Sequence, residues 1–325
     1  MSSEITYLPY RRVFRAPLRT AHGAWSVREG FIVRVKKAGQ VGYGEVAPLP
    51  KFGTETVAQA ESFLRKLVTT PALTVPASLP CCAFALSAAE AGIGVSSSYV
   101  VSGLLPAGPR ALAVLESKVA LGYHHFKWKI GVEPVVEELA ILADLASRLP
   151  EGGMLRLDAN ASLDTRSLAR WLDAVAALGD QVEYLEQPLA VGDEQEMAAA
   201  MASSGVPIAL DESLNGEAGA HWLSNWEGPL VIKAALMGDV GQLEKQLKAV
   251  AGRLVFSSVF ETGVGLANAL GLADRVGANK RAIGFDTLSA FDDVLQPLTA
   301  APQLQVTQTD LLSIGQLWQT LLHSK

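Results

Sequence analysis

The chain has 325 residues, 49% of them hydrophobic and 18% charged, with 27 Lys and Arg against 33 Asp and Glu and a formal net charge of -6. That length holds one large α/β barrel plus a smaller domain, and the acidic balance leaves no basic footprint for nucleic acid or an anionic membrane surface. No uninterrupted apolar run reaches membrane-spanning length, so membrane insertion is not expected. The first ten residues lack an apolar stretch behind a basic start, so no signal peptide is expected. Cys81 and Cys82 are adjacent, and a bridge between neighbours closes almost no loop. They read as small buried hydrophobes in a helix, and a reducing cytoplasm is the default compartment. There is no Cys-x-x-Cys, and His22, His124, His125, His221 and His323 have no metal-ligand spacing, so a zinc or redox site has no support.

Residues 1–98 read as an α+β domain. Stretches 5–7 and 11–14 are strand material punctuated by Pro9 and Pro17. Residues 31–35 form a clear strand, and a turn at 38–40 leads into a hairpin partner at 41–46. Thr54 is expected to cap a helix running to Val68. Residues 18–25 are expected as a loop holding Gly23 and Trp25, with Trp25 either a packing plug or a substrate contact.

From residue 99 the texture changes to alternating strand and helix. Strands are expected at 99–105, 126–130, 154–158, 182–187, 207–212, 230–234, 254–259 and 281–285. Helices are expected at 109–121, 135–148, 163–178, 194–203, 240–251 and 265–275. Eight such units match a parallel barrel of the (β/α)8 kind over 99–289. An open doubly wound sheet would need a Gly-rich first turn, whereas Gly263-Val264-Gly265 follows the seventh strand. Residues 290–325 fall outside the repeat and are expected to pack back on the first domain.

Barrel chemistry sits where strands end at the C-terminal face. There the second strand offers Lys127 and Lys129, which share a face at i and i+2 while Trp128 points out to the helices. The third ends in Asp158-Ala159-Asn160, the fourth in Glu186-Gln187-Pro188, the fifth in Asp211-Glu212-Ser213, and the sixth carries Lys233. The steps from Lys129 through Asp158, Glu186 and Asp211 to Lys233 are 29, 28, 25 and 22 residues, each one strand–helix unit long. Three carboxylates converging in one mouth cannot all stay ionised without a cation. Hard oxygen ligands suit Mg²⁺, with Mn²⁺ the second choice. A lysine near a divalent cation and a second lysine is expected to have a depressed pKa and to serve as a base. Such a metal would stabilise the enediolate left when a proton beside a carboxylate is removed. Lys127 is expected to hold the substrate carboxylate and tune Lys129.

This set of K-x-K, D-A-N, E-Q-P, D-E-S and a strand-six lysine resembles the muconate-lactonising subgroup of the enolase superfamily over nearly the whole chain. The resemblance implies a (β/α)7β TIM-like barrel with an N-terminal α+β capping domain. It implies Asp158, Glu186 and Asp211 as Mg²⁺ ligands, Lys129 as acid/base, Lys233 across the site, and Asn160 as a supporting contact. Within the subgroup, Pro17-Leu18-Arg19-Thr20, Gly44-Glu45-Val46-Ala47-Pro48-Leu49-Pro50 and Ser257-Ser258-Val259-Phe260-Glu261-Thr262-Gly263 are similar to the o-succinylbenzoate synthases. That similarity implies dehydration of 2-succinyl-6-hydroxy-2,4-cyclohexadiene-1-carboxylate, a small-molecule carboxylate, to o-succinylbenzoate in menaquinone or phylloquinone synthesis. Substrate contacts are then expected at Lys127, Asn160, Ser257, Ser258, Gly263 and Trp25. Backbone N–H groups of 257–265 are expected to hold the succinyl carboxylate at a helix N-terminus. The alternative is an N-acylamino acid or dipeptide racemase or epimerase of the same superfamily. Those members usually carry Gly-Gly after the strand-six lysine, where here Gly238 is followed by Asp239.

Overall fold

The computed structural model describes residues 3–20, 23–92, 97–216, 218–296 and 298–323. Strands β1 (Glu4–Thr20) and β2 (Gly23–Lys37) form a long antiparallel hairpin, and β3 (Gln40–Val46) pairs with β2. Ala38 and Gly39 both have positive φ, 52° and 84°, which gives the β2–β3 turn the twist a two-residue hairpin needs. The β1–β2 ladder holds one register from Glu4↔Lys36 to Val13↔Val27 and shifts before Leu18↔Trp25. Pro17, with no N–H to give, lies in the shifted stretch. The expected loop at 18–25 is therefore mostly strand, paired down to Thr20↔Gly23; residues 21 and 22, including His22, lie outside the described residues.

Helix α1 (Val57–Thr69) is capped by Thr56 rather than Thr54. Thr56 Oγ1 accepts from Gln59 N at 3.1 Å while Gln59 Oε1 accepts from Thr56 N at 2.8 Å, so a Gln three residues on completes a capping box that Thr54 cannot. Thr54 Oγ1 accepts from Leu49 N instead, at 2.7 Å. Helix α2 (Pro80–Ala91) has no cap of its own. Buried Glu55 supplies one, accepting from Cys81 N at 3.1 Å and Cys82 N at 2.8 Å. Both thiols are buried and unbridged. This alanine-rich helix lies directly on β3, where a Cβ at Gly42 or Gly44 would stand 1.9 Å from the carbonyl oxygen of Ala89 or Ala85.

Residues 99–105, expected as one strand, are two. β4 (Ser98–Val100) pairs antiparallel with β12 (Gln303–Gln305), and β5 (Ser102–Leu105) opens the barrel. The hydrogen bonds change partner between them: Val101 N donates to Pro302 O, and Ser102 N donates to Ile283 O. There follow α3 (Arg110–Ala120), β6 (His125–Lys129), α4 (Val135–Ser147), β7 (Met154–Asp158), α5 (Thr165–Leu178), β8 (Val182–Glu186) and α6 (Glu194–Ser204). Next come β9 (Ile208–Ala209), α7 (Gly219–Asn225), β10 (Leu230–Ile232), α8 (Val240–Lys248), β11 (Leu254–Phe256) and α9 (Gly263–Val276). β5 to β9 form one parallel sheet and β10–β11 a parallel pair. Bridges Leu210↔Leu230, Ser257↔Gly284 and Val101↔Ile283 join them through segment 281–285 into a closed ring of eight staves. Helix α7, too short to show a period, is absent from the sequence expectations. Helix α10 (Gln308–His323) packs on β1 and α9. No helix among the described residues is long and apolar enough to cross a membrane.

Strand alternation sorts the barrel into two environments. On β6, Phe126 and Trp128 face the helices, and Trp128 meets Trp171 of α5 with ring centroids 6.1 Å apart. Lys127 and Lys129 face the interior with Arg156 and Asp158 of β7, Tyr184 and Glu186 of β8. A register shift between Leu155↔Val182 and Arg156↔Tyr184 lets Glu183 reach Arg156 as well. Arg156, 1% exposed, spans the interior: Nε bonds Glu183 Oε2 at 2.6 Å and Nη1 donates to Ala282 O at 2.8 Å. Arg281 pairs with the other Glu183 oxygen, so one carboxylate is shared by two guanidiniums below the site.

The α2–β3 contact leaves no room for a side chain, so Gly44→Ala should separate helix from strand. Its expected cost is about 1–3 kcal/mol, read as a lower urea midpoint with unchanged slope.

Candidate functional site

The ladder puts Lys129 opposite Asp158, and Asp158 opposite Glu186. Asp211 and Lys233 follow the last paired residues of β9 and β10, so all five stand at the C-terminal mouth. Lys127 Nζ bridges two acids, 2.6 Å from Glu186 Oε1 and 2.9 Å from Asp158 Oδ2. Lys233 Nζ pairs with both oxygens of Asp211. Lys129 Nζ donates to Asn160 Oδ1 at 2.8 Å, and Asn160 Nδ2 reaches Glu212 Oε1 at 3.4 Å. The Phe52 ring, brought from the loop after β3, lies 4.6 Å from Lys233 Nζ.

Burial sets the electrostatics. Burial pushes the Glu186 carboxyl up, and Asp158 and Asp211 push it further, against the pull of Lys127. Glu212 is raised to about 7 by burial and by Asp211, against the pull of Lys233. Burial would raise Asp158 too, but Lys127 outweighs it and holds that acid low. Burial alone would lower Lys127 and Lys233; the carboxylates around them win and raise both. The order of acids among ammonium groups therefore decides which stay ionised.

Among the described residues no three His, Cys, Asp or Glu side chains stand at metal-ligand spacing. Lys127 bridging Asp158 and Glu186, and Lys233 on Asp211, account for this: ammonium groups already neutralise those oxygens. Glu186 Oε2 and Glu212 Oε2 are nonetheless buried without a hydrogen-bond partner. Unpartnered buried carboxylate oxygens beside further acids are the donor set a hard divalent cation fits.

The backbone under these residues is held out of the usual regions. Asn160 (φ 46°), Ala161 (φ 59°) and Gln187 (φ 36°) follow β7 and β8 in left-handed conformations. Gln187 repays its strain by locking the next stave. Its Oε1 accepts from Asp211 N at 3.0 Å and Ser213 N at 3.2 Å, and its Nε2 donates to Ser213 Oγ at 2.8 Å.

Two expectations change. Lys127, expected on the substrate carboxylate, is engaged by Asp158 and Glu186, because a buried ammonium takes the nearest anions. The N-terminus of α9, expected to hold a succinyl carboxylate, already holds Glu45 of β3. Glu45 Oε2 accepts from Thr262 N at 2.8 Å, Gly265 N at 3.0 Å and Thr262 Oγ1. Gly263 N donates to Leu295 O at 2.8 Å and Val264 N to Thr262 Oγ1 at 3.2 Å, so neither is open to a ligand. Ser258 Oγ is likewise spent, donating to Glu261 Oε2 and accepting from Phe260 N and from Thr287 Oγ1. Ser257, next to Gly284 on the barrel wall, has no side-chain hydrogen bond among the described residues. Trp25 packs edge-on between Phe52 and Phe260, both ring centroids 6.4 Å away. Glu212, Gln187, Phe52 and Glu45 join the site or its frame beyond the residues expected from the sequence. Glu212 and Gln187 sit inside the D-E-S and E-Q-P strings, whereas nothing in the spacing ties Phe52 or Glu45 to the barrel.

Known proteins supply the remaining observations. Residues 13–93 match the family model described as MenC, N-terminal domain, and residues 110–226 match Enolase C-terminal domain-like. The chain is 37% identical over 269 residues to an o-succinylbenzoate synthase of Thermosynechococcus vestitus, covering 78% of this chain and 84% of that protein. It is 31% identical to the o-succinylbenzoate synthase of Yersinia enterocolitica, covering 90% of this chain and 93% of that one. The crystal structure of o-succinylbenzoate synthase from Thermosynechococcus elongatus, complexed with Mg in its active site, superposes with a TM-score of 0.84 at 32% identity, covering 98% and 99% of the two chains. The L-Ala-D/L-Glu epimerase of Bacillus subtilis shares the fold, with a TM-score of 0.77 at 19% identity over 93% of this chain and 95% of that one.

Glu261, beside the site, offers a pH test. Burial raises its carboxyl from 4.5 to about 7, against hydrogen bonds from Ser258 Oγ and Val259 N. The folded state thus binds this proton more tightly than the unfolded chain. The resulting stability is fully present below pH 4.5 and is lost as pH rises through about 7. Glu261→Gln, neutral throughout, should remove roughly 3 kcal/mol or less of this pH dependence. Melting curves of parent and variant that stay parallel across that window would contradict it.

Proposed function

The chain belongs to the o-succinylbenzoate synthase family of the enolase superfamily, and on that footing we propose that it dehydrates 2-succinyl-6-hydroxy-2,4-cyclohexadiene-1-carboxylate to o-succinylbenzoate in menaquinone or phylloquinone synthesis. The observation that carries the reading is the pair Lys129 and Lys233, four staves apart across the barrel, with Asp158, Glu186 and Asp211 on the staves between. We assign residues 1–98 as the cap, 99–289 as the catalytic barrel and 290–325 as a tail returning to the cap; the contact of α10 with β1 supports the last. We place the reaction in the cytoplasm, in keeping with two unbridged cysteines.

Asp158, Glu186 and Asp211 would hold Mg²⁺, or Mn²⁺ with its similar preference for oxygen, with Glu212 close behind. When bound, the ion supplies Lewis-acid stabilisation of the negative charge that builds on the substrate carboxylate. Lys129 takes the proton from the carbon bearing that carboxylate, and Asn160 Oδ1 orients the ammonium so formed. Lys129 then returns the proton to the departing hydroxyl. One C–H and one C–O bond are broken, a ring double bond forms, and water leaves. Lys233 acts as a fixed cation, kept protonated by Asp211 and Glu212 and covered on one side by Phe52. Ser257 and Trp25 are assigned to the substrate, with Asn160 as the link between base and acids. Ser258 and Gly263 shape the loop beside it.

Incubation with the cyclohexadiene and Mg²⁺, followed by absorbance of the aromatic product, tests the reading; a folded, metal-loaded protein that makes none overturns it. Lys129→Ala should lower kcat by about 10²–10⁴-fold with the melting temperature preserved. Glu186→Gln should weaken Mg²⁺ binding at least about tenfold in calorimetry, because only a carboxylate offers two charged oxygens. In deuterated solvent, an acylamino acid racemase would exchange the α-proton of both enantiomers and lose one exchange with Lys233→Ala. The synthase reading requires product formation whether or not such exchange occurs.

A further inference from the structure

Arg28 of β2 is 3% exposed, yet its hydrogen bonds among the described residues all go to backbone carbonyls. Its guanidinium donates to Ala47 O at 2.7 Å, Pro48 O at 2.7 Å, Glu29 O at 3.2 Å and, from Nε, Val259 O at 3.1 Å. Ala47 and Pro48 open the cap segment that carries Phe52. Val259 opens the barrel turn that carries Phe260, a non-glycine residue held at φ 61°. One planar fork therefore ties together the two backbones from which these aromatic rings project. Phe52 lies against Lys233 Nζ, Trp25 against Phe52, and Phe260 against Trp25 and Phe14. The three rings make a continuous wall running outward from the catalytic lysine.

The turn itself is fastened on its far side. Arg12 Nη1 donates to Glu261 O at 2.9 Å while Arg12 pairs with Asp293, and Glu45 holds Thr262 and Gly265. Those bonds fix where the turn ends. Among the described residues, Arg28 hydrogen-bonds both its beginning and the cap segment opposite, while Trp25 packs on the rings of both.

We propose that Arg28 is a positioning and specificity-determining residue, setting the spacing between Phe52 and Phe260 and so the width of the aromatic wall that receives the substrate's ring and acyl chain. The proposal rests on the synthase reading of the site. A lysine keeps the charge of Arg28 but cannot serve four carbonyls in one plane, so the wall should loosen while the lysines and acids stay in place. Arg28→Lys should raise KM about tenfold, with kcat within about threefold and Mg²⁺ affinity unchanged in calorimetry. Phe260→Gly, which keeps the left-handed backbone and deletes the ring, should raise KM similarly, and the double variant should add little to either.

Wild-type turnover with unchanged KM in Arg28→Lys overturns the proposal and leaves the synthase reading standing. So does a fall in kcat that parallels lost Mg²⁺ affinity, which marks a general structural role. Should Arg28→Lys fail to fold, an unchanged KM in Phe260→Gly overturns the proposal by itself. Absence of wild-type turnover removes both readings.

Discussion

Lys127, Lys129 and Lys233 share the mouth of the barrel with Asp158, Glu186, Asp211 and Glu212, largely out of water, and their mutual neutralisation is the constraint on which the rest depends. Each charge would be expensive to bury alone, and removing Lys127 or Lys233 would strand the acids they pair with, whereas Lys129 is bonded to neutral Asn160. This explains why the surrounding backbone tolerates unusual conformations: Asn160 and Gln187 bend out of the common regions to bring polar groups to the acids. It also explains why Lys127 faces inward. Beneath the acids it serves as a built-in counter-ion, which leaves Lys129 as the lysine bonded to a neutral partner. A base needs that freedom more than it needs proximity to charge.

The staves were legible because a strand–helix unit has a nearly fixed length, so equal spacing in sequence becomes equal height in the barrel. Lys129, Asp158 and Glu186 are ladder neighbours for this reason. Strand lengths were less legible. The expected strands at 207–212, 230–234 and 254–259 shrink to two or three paired residues, and Asp211 and Lys233 lie past the ends of β9 and β10. Segment 281–285 survives only as bridges.

What the sequence concealed lies between domains. Glu45 and Thr262 are 217 residues apart, and no periodicity relates a carboxylate on a cap strand to a helix N-terminus in the barrel. A glycine-bearing turn before a helix does invite an anion, and that reading of 257–265 was chemically sound. The anion proved to be the protein's own. Using its helix terminus internally, the fold ties the cap strand to the barrel through Glu45, Thr262 and Gly265.

The paired cysteines carry a consequence of their own. Burial and the neighbouring Glu55 hold both thiols far above the ordinary cysteine range, at the foot of a helix pressed against β3. A thiol that cannot ionise does not react with alkylating reagents or peroxide. Buried in α2 on its glycine bed, Cys81 and Cys82 should label slowly in the folded chain, and the rate of that labelling should report how often α2 lifts from β3.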